Sequence, residues 1–336
     1  SNRILGNPYN CVLVPRSPCL VHRNSKQAIL PMKLSERSIV MNIFFLPRCF
    51  LRIFPLLCVG LLLSCGGGAP KISKDSPEYQ YAQVKEAVAE AKYEKAISLT
   101  SDIQRKFPDT EYGDKARILR IVLLAGLSEG YREMAEAYLA GHEKSFQSAG
   151  RLRTTAFDYF RKQKSAALGF SEACDYFLKH YSDQKDYVLE CKLPTKDVAH
   201  NKRLDEVRNG TAIEAEDRRI AEESELREGL IDTLSSFLGS RGDRAKARKL
   251  LEGGSKTLDH AEFMVRLGRT LLENQKLFGR SALNEVQYYR QFYDKASECS
   301  ELAQKLLKDK PNKETQEMAD ALKAELEALE KKGKKT

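Results

Sequence analysis

From Glu78 onward, the apolar residues of the chain recur mostly three or four positions apart. The segments Glu78–Glu90, Glu94–Lys106 and Glu111–Leu127 show this spacing, which places apolar side chains on one face of an α-helix. The same part of the chain is rich in Ala, Leu, Glu, Lys and Arg, has no Trp and has few β-branched runs. Only Asp186–Leu193, DYVLECKL, has the character of a short extended segment. The sequence therefore predicts an all-α fold.

The stretch AKYEKAISLTSDIQRKFPDTEYGDKA, from Ala91 to Ala116, resembles a tetratricopeptide repeat. Tyr93, Ala96, Phe107 and Pro108 stand where that family has its turn aromatic, its small packing residue and its closing proline. A small residue lets two antiparallel helices approach closely, and proline ends a helix because it has no N–H for the i→i−4 bond. The resemblance implies that these four residues pack the repeat.

Weaker matches to this repeat pattern follow, at a longer and less regular spacing. Ala135 comes 39 residues after Ala96, Ala173 comes 38 residues later, and Phe292–Pro311 again runs a helical pattern into a proline. We therefore expect irregular antiparallel helical hairpins stacked as an α-solenoid. A set of unrelated antiparallel helices is the alternative.

Residues 41–64 have the layout of a secretory signal peptide. Arg48 and Arg52 provide positive charge, and an unbroken apolar run of eleven residues, IFPLLCVGLLL, leads to a small residue. The run is too short for a membrane-spanning helix, which needs about 20 residues. Its end, LLSC, resembles the bacterial lipobox. That resemblance implies cleavage between Ser64 and Cys65 and anchoring to the membrane by acyl chains on Cys65. The alternatives are an ordinary signal peptide and a buried apolar helix with an incidental cysteine.

Differences in composition divide the rest of the chain into further segments. Residues 1–40 lack helical or strand periodicity, and because Met32 and Met41 are both possible starts, we expect this part to lie upstream of the natural protein. Residues 65–77 read as a flexible Gly-rich tether. We expect an N-terminal helical-repeat region at 78–196, a highly charged helix or linker at 197–223, and a C-terminal helical region at 224–332.

The positive net charge of +9 belongs mainly to the leader. Residues 1–64 carry eight Lys or Arg and one acidic residue, whereas the remaining 272 residues carry 48 basic and 46 acidic residues. A nucleic-acid interface needs a clustered basic face. The sequence therefore does not predict nucleic acid as a partner.

The sequence contains few arrangements that carry chemistry. No HExxH, P-loop, GxGxxG or GxSxG motif occurs, and the histidines lack metal-ligand spacing, so we expect neither metal nor cofactor and no enzymatic activity. Cys174 and Cys191 flank a predicted return of the chain, and a disulfide between them is possible in an oxidising compartment. Alternatively, Cys174 is simply a small core residue.

These features together predict a membrane-anchored scaffold for protein–protein interactions in the cell envelope. The stretch Tyr79–Leu127 resembles the BamD/YfiO type of lipoprotein, which belongs to the complex that inserts outer-membrane β-barrel proteins. Gly66 and Gly67, rather than Asp, follow Cys65, which by the same kind of resemblance favours the outer membrane. The alternatives are a protein that assists peptidoglycan or polysaccharide handling and a catalytic glycan-binding domain. The last of these requires two buried carboxylates in a deep cleft.

Overall fold

Helices make up nearly all of the regular structure in the computed structural model of the chain. The model describes residues 73–180, 186–192, 202–239, 243, 245–246, 249, 255–279 and 282–333. The predicted signal peptide, Ser64, Cys65 and the tether up to residue 72 lie outside these residues. The expected all-α class is confirmed.

The described elements follow one another along the chain as nine helices and two short strands. They are α1 (Pro77–Ala89), α2 (Tyr93–Lys106), α3 (Glu111–Lys144), α4 (Ala149–His180), β1 (Asp186–Leu189), α5 (Lys202–Arg208), α6 (Ala215–Phe237), β2 (Lys256–Asp259), α7 (His260–Gln275), α8 (Val286–Asp309) and α9 (Lys313–Gly333). A 3₁₀ turn, Lys276–Phe278, extends α7.

Capping residues set where the first helices begin and end. The hydroxyl of Ser76 accepts a hydrogen bond from the backbone N–H of Tyr79 at 3.2 Å and starts α1, whose first residue is Pro77. Thr110 caps α3 in the same way, accepting from the N–H of Gly113 at 3.1 Å. Between them α2 ends at Lys106, just before Phe107 and Pro108.

The longest feature is the antiparallel hairpin of α3 and α4, with 34 and 32 residues. Arg117 near the start of α3 lies 5.7 Å from the ring of Tyr176 near the end of α4. Towards the middle, the rings of Tyr131 and Tyr159 are 6.4 Å apart. The prediction for the third helical segment stopped at Leu127, so the helix is longer than expected.

Helix α6 crosses α3 at a distance that only glycine permits. A Cβ on Gly126 would lie 2.7 Å from the Cα of Leu230, and one on Gly229 would lie 2.5 Å from the backbone oxygen of Gly126. Gly130 approaches Leu226 as closely. The contact atoms are backbone and have no room to move aside, so the crossing depends on these three glycines.

The two strands form one small antiparallel sheet, in which Asp186 pairs with Asp259 and Leu189 with Lys256. The predicted extended segment at 186–193 thus contains a strand, β1. The sequence analysis missed its partner, β2, because four residues leading directly into α7 are too few to show an alternating pattern.

The helices after β2 pack antiparallel to one another. The side chain of Gln275 in α7 donates to the backbone oxygen of Tyr289 in α8, and Gln304 of α8 donates to Asp320 of α9, both at 3.1 Å. Residues 73–336 form one compact unit, and the described part of the charged segment, residues 202–223, lies inside it as α5, a turn and the start of α6. No helix within the described ranges is long and apolar enough to cross a membrane.

Candidate interaction groove

An open groove of about 450 Å³ runs along α8 where this helix passes α4. We call it the α4–α8 groove. It is lined by residues of both helices: Asp175, Val286, Gln287, Arg290, Gln291, Asp294, Lys295 and Glu298.

An ion pair between a buried lysine and a partly exposed aspartate joins the two helices at this groove. Lys295 is only 5% exposed, and its ammonium group donates to the Ser171 hydroxyl at 2.6 Å and contacts the Asp175 carboxylate at 2.9 Å. The rings of Phe170 and Phe292, 6.5 Å apart, pack one turn away. A lysine in such a place needs an anion, because burying an uncompensated charge is costly.

The rim of the α4–α8 groove is polar and exposed to solvent, with one apolar exception. Arg290 lies 4.0 Å from Asp294, and the side chains of these two residues are 82% and 64% exposed. Glu298 is also exposed. Val286, the first residue of α8, is 64% exposed and offers an apolar contact to whatever enters.

The chemistry of the α4–α8 groove suits binding better than nucleophilic attack. A serine next to a lysine is able to act as nucleophile and base only if the lysine gives up its proton. Here the Lys295 side chain is paired with Asp175, and Ser171 is only 1% exposed. The Asp175 carboxylate is 40% exposed and engaged by Lys295, so the groove lacks the pair of buried acids that glycan cleavage requires.

The sequence analysis did not find this groove, although one signal was present. Phe292, Lys295, Ala296 and Cys299 share one buried face of α8, so a lysine occupies a position of the apolar stripe. A charge at such a position indicates a buried partner on another helix. The partner, Asp175, is 120 positions away along the chain and no local pattern points to it.

The residues expected to pack the tetratricopeptide-like repeat lie at the two ends of α2. Tyr93 is the first residue of α2 and Ala96 is fully buried one turn later. Phe107 is half-buried after the end of α2, and Pro108 accepts a hydrogen bond from the Arg117 guanidinium through its backbone oxygen. Tyr93 and Ala96 thus lie near the junction of α1 with α2, and Phe107 and Pro108 lie between α2 and α3. None of the four lines the α4–α8 groove.

Cys174 and Cys191, considered above as a disulfide, are free thiols in the structure, as is Cys299. All three are buried, and burial raises the pKa of the Cys191 thiol to about 12. The structure therefore places Cys174 as a core residue of α4 and Cys191 just after β1.

Within the described part of the chain, no three His, Cys, Asp or Glu side chains are grouped as a metal site requires. Comparison with known proteins gives no assignment: the chain matches no family model, no curated protein and no solved structure.

Proposed function

We propose that the protein is a membrane-anchored lipoprotein of the cell envelope that acts as a non-catalytic scaffold, binding a segment of a partner protein in the α4–α8 groove. The observation that carries this proposal is the groove itself. It is open along α8, its rim carries exposed charged side chains, and its buried charged residue, Lys295, is already paired with Asp175.

The helical hairpins at the start of the chain support a repeat architecture within this proposal. Ala96 is fully buried from solvent, and α2 ends immediately before Phe107 and Pro108. This is the packing that a tetratricopeptide-like pair needs. We infer an irregular α-solenoid in which α1, α2 and the first half of α3 form the most regular unit.

The proposed location follows from the sequence LLLSCGGGAP. Acylation of Cys65 after cleavage behind Ser64 would hold the protein stably on a membrane, because two or more acyl chains bind far more firmly than one. Gly66 and Gly67 favour the outer membrane, with the helical part facing the periplasm. On this reading the partners are envelope proteins, and a role in outer-membrane protein assembly is the specific form of the proposal.

A photocrosslinking experiment in intact envelopes tests the proposal. A photoreactive phenylalanine analogue replaces Val286 in the groove or, as the matched control, Phe146, which is fully exposed in the turn between α3 and α4. We expect position 286 to yield a discrete protein adduct and position 146 to yield none. Identification of the adduct by mass spectrometry then names the partner.

Charge reversal provides a second arm of the same experiment. Glu298→Lys keeps an exposed charged residue on the rim but inverts its sign, so it should weaken the adduct formed from position 286 without altering the far-ultraviolet circular dichroism spectrum. An adduct only at position 146 would contradict the groove as the binding face. Recovery of glycan-processing partners without barrel-assembly components would overturn the assembly role in favour of peptidoglycan or polysaccharide handling.

A further inference from the structure

A second polar site, distinct from the α4–α8 groove, lies where α3, α4 and α6 meet. Here the ammonium group of Lys162 is 5.4 Å from the ring centre of Tyr131 and 5.2 Å from that of Tyr159. The same ammonium group forms an ion pair with Glu222 of α6. We call Tyr131, Tyr159 and Glu222 the ammonium site and regard Lys162 as its occupant.

The ammonium site is preorganised without help from Lys162. The hydroxyl of Tyr159 donates to Glu222 at 3.0 Å and fixes the carboxylate beside the rings. Tyr138 packs against Tyr159 with ring centres 5.6 Å apart and supports it from behind. Burial raises the pKa of both Tyr131 and Tyr159, so their rings stay neutral phenols. Two aromatic faces with an adjoining carboxylate form an arrangement that attracts a desolvated organic cation.

Lys162 itself is bound only weakly in the ammonium site. Its side chain is 45% exposed, whereas Tyr131 and Tyr159 are 7% and 3% exposed. A half-exposed ion pair contributes little, and each exposed cation–π contact adds only modestly. Contacts of this strength leave the ammonium site free of Lys162 in about one tenth of the molecules.

From these contacts we infer that the ammonium site binds alkylammonium groups supplied from outside the chain, with Lys162 as a displaceable internal competitor. The ligand class is a primary ammonium on a short aliphatic stem, as on a free amine or on the lysine side chain of another protein. This inference does not depend on what the α4–α8 groove binds.

Ligand-observed proton NMR on the full-length protein tests the inference. The probe is n-butylammonium, whose methyl and methylene signals move upfield when they lie over aromatic rings. Lys162→Ala removes the competitor and should bind the probe about tenfold more tightly than the wild-type protein, because apparent affinity scales with the fraction of open sites. Lys162→Gln, which keeps most of the aliphatic stem, should show a gain of the same sign if truncation to Ala disturbs the fold.

Lys164→Ala is the matched control. Lys164 also pairs with a carboxylate, Glu285, and lies over an aromatic ring, but over Tyr288 alone, at 5.6 Å. It should give a much smaller gain than Lys162→Ala. Adding Glu222→Gln to Lys162→Ala should reverse the gain.

Two further probes define the ligand. The uncharged n-butanol has a similar shape and should not bind. Nα-acetyl-lysine amide carries the same ammonium group on a polypeptide backbone. If it binds more tightly than n-butylammonium, the ligand is a protein lysine. If the two bind equally well, the ligand is a free amine. The inference is overturned if Lys162→Ala binds n-butylammonium no better than the wild type, if n-butanol binds equally well, or if Lys164→Ala gives the same gain.

Discussion

At the scale of single residues, a three-charge cluster fastens the end of β1 to the first and third helices. Glu190 forms ion pairs with Lys85 of α1 and, at 2.8 Å, with Lys115 of α3. The hydroxyl of Tyr81 donates to the backbone oxygen of Glu190 at 2.7 Å. Burial alone would raise the pKa of the Glu190 carboxyl, but the hydrogen bonds from Lys115 and Lys85 prevail and lower it.

This cluster predicts a stability that depends on pH. Because the folded-state pKa of Glu190 lies below its ordinary value of 4.5, the ionised carboxylate stabilises the fold above about pH 4.5 and loses this effect as the pH falls through the folded-state pKa. Glu190→Gln should lower the free energy of unfolding by about 1–3 kcal/mol at pH 7. Urea unfolding at pH 7 and pH 3 measures this. The gap between the two proteins should narrow at pH 3, and a constant gap would contradict the charge-based explanation.

The ion pair at the α4–α8 groove predicts unequal effects for its two members. Asp175→Asn leaves the Lys295 ammonium, whose side chain is 6% exposed, without an anion, and should cost about 1–3 kcal/mol of unfolding free energy. Lys295→Met fills the same space, and the remaining Asp175, 40% exposed, is hydrated, so this variant should lose less than about 1 kcal/mol. Thermal or urea unfolding of both variants is the measurement. A larger loss of unfolding free energy in Lys295→Met than in Asp175→Asn would contradict the expectation that the cost comes from leaving a buried charge unpaired.

At the scale of elements, the crossing of α3 and α6 predicts a large penalty for one methyl group. Gly229→Ala places a Cβ within 2.5 Å of the backbone of both Gly126 and Gly130, so the helices must separate, at a cost of about 1–3 kcal/mol or more. Gly150→Ala, in the first turn of α4, meets nothing within 4 Å and should be neutral or stabilising by up to about 1 kcal/mol. Similar midpoints for the two variants in a urea titration would mean that the crossing relaxes freely.

The same glycines show why the elements were only partly predictable. The apolar spacing of α1 and α2 indicated both helices nearly to their ends, because each buries one face within its own pair. Glycine is a poor helix former in isolation, so Gly126 and Gly130, which stand on either side of Leu127, weaken the local signal for a continuous helix there. Their reason for being in α3 is a contact with Leu226 and Leu230, about 100 positions later, and local sequence does not contain that information.

The groove was unpredictable for a related reason. Lys295 occupies a position of the apolar stripe of α8, which indicates a buried partner, but no local pattern identifies that partner as Asp175. The ammonium site likewise joins Tyr131, Tyr159 and Glu222 from three helices. Periodicity predicts which face of a helix is buried, whereas the pairing of faces follows from the whole tertiary arrangement.

At the scale of the whole molecule, the proposed anchor leads to a fractionation experiment. Cys65→Ala removes the thiol that acylation requires, so labelling with a fatty acid should be lost and the protein should move from the membrane fraction to the soluble envelope fraction. Cys58→Ala, within the apolar run, is the control and should leave labelling intact. A Cys65→Ala protein that still carries lipid and pellets with membranes would contradict the lipobox.

The length of α3 has a consequence for how far the molecule reaches. The helix has 34 residues and rises 1.5 Å per residue, so it is about 50 Å long. Helix α1 lies beside its beginning, where the rings of Tyr81 and Tyr112 are 5.8 Å apart, while Phe146 follows its end. α1 and Phe146 therefore stand at opposite ends of a span of about 50 Å. Removing two helical turns from both α3 and α4 would shorten that span by about 10 Å.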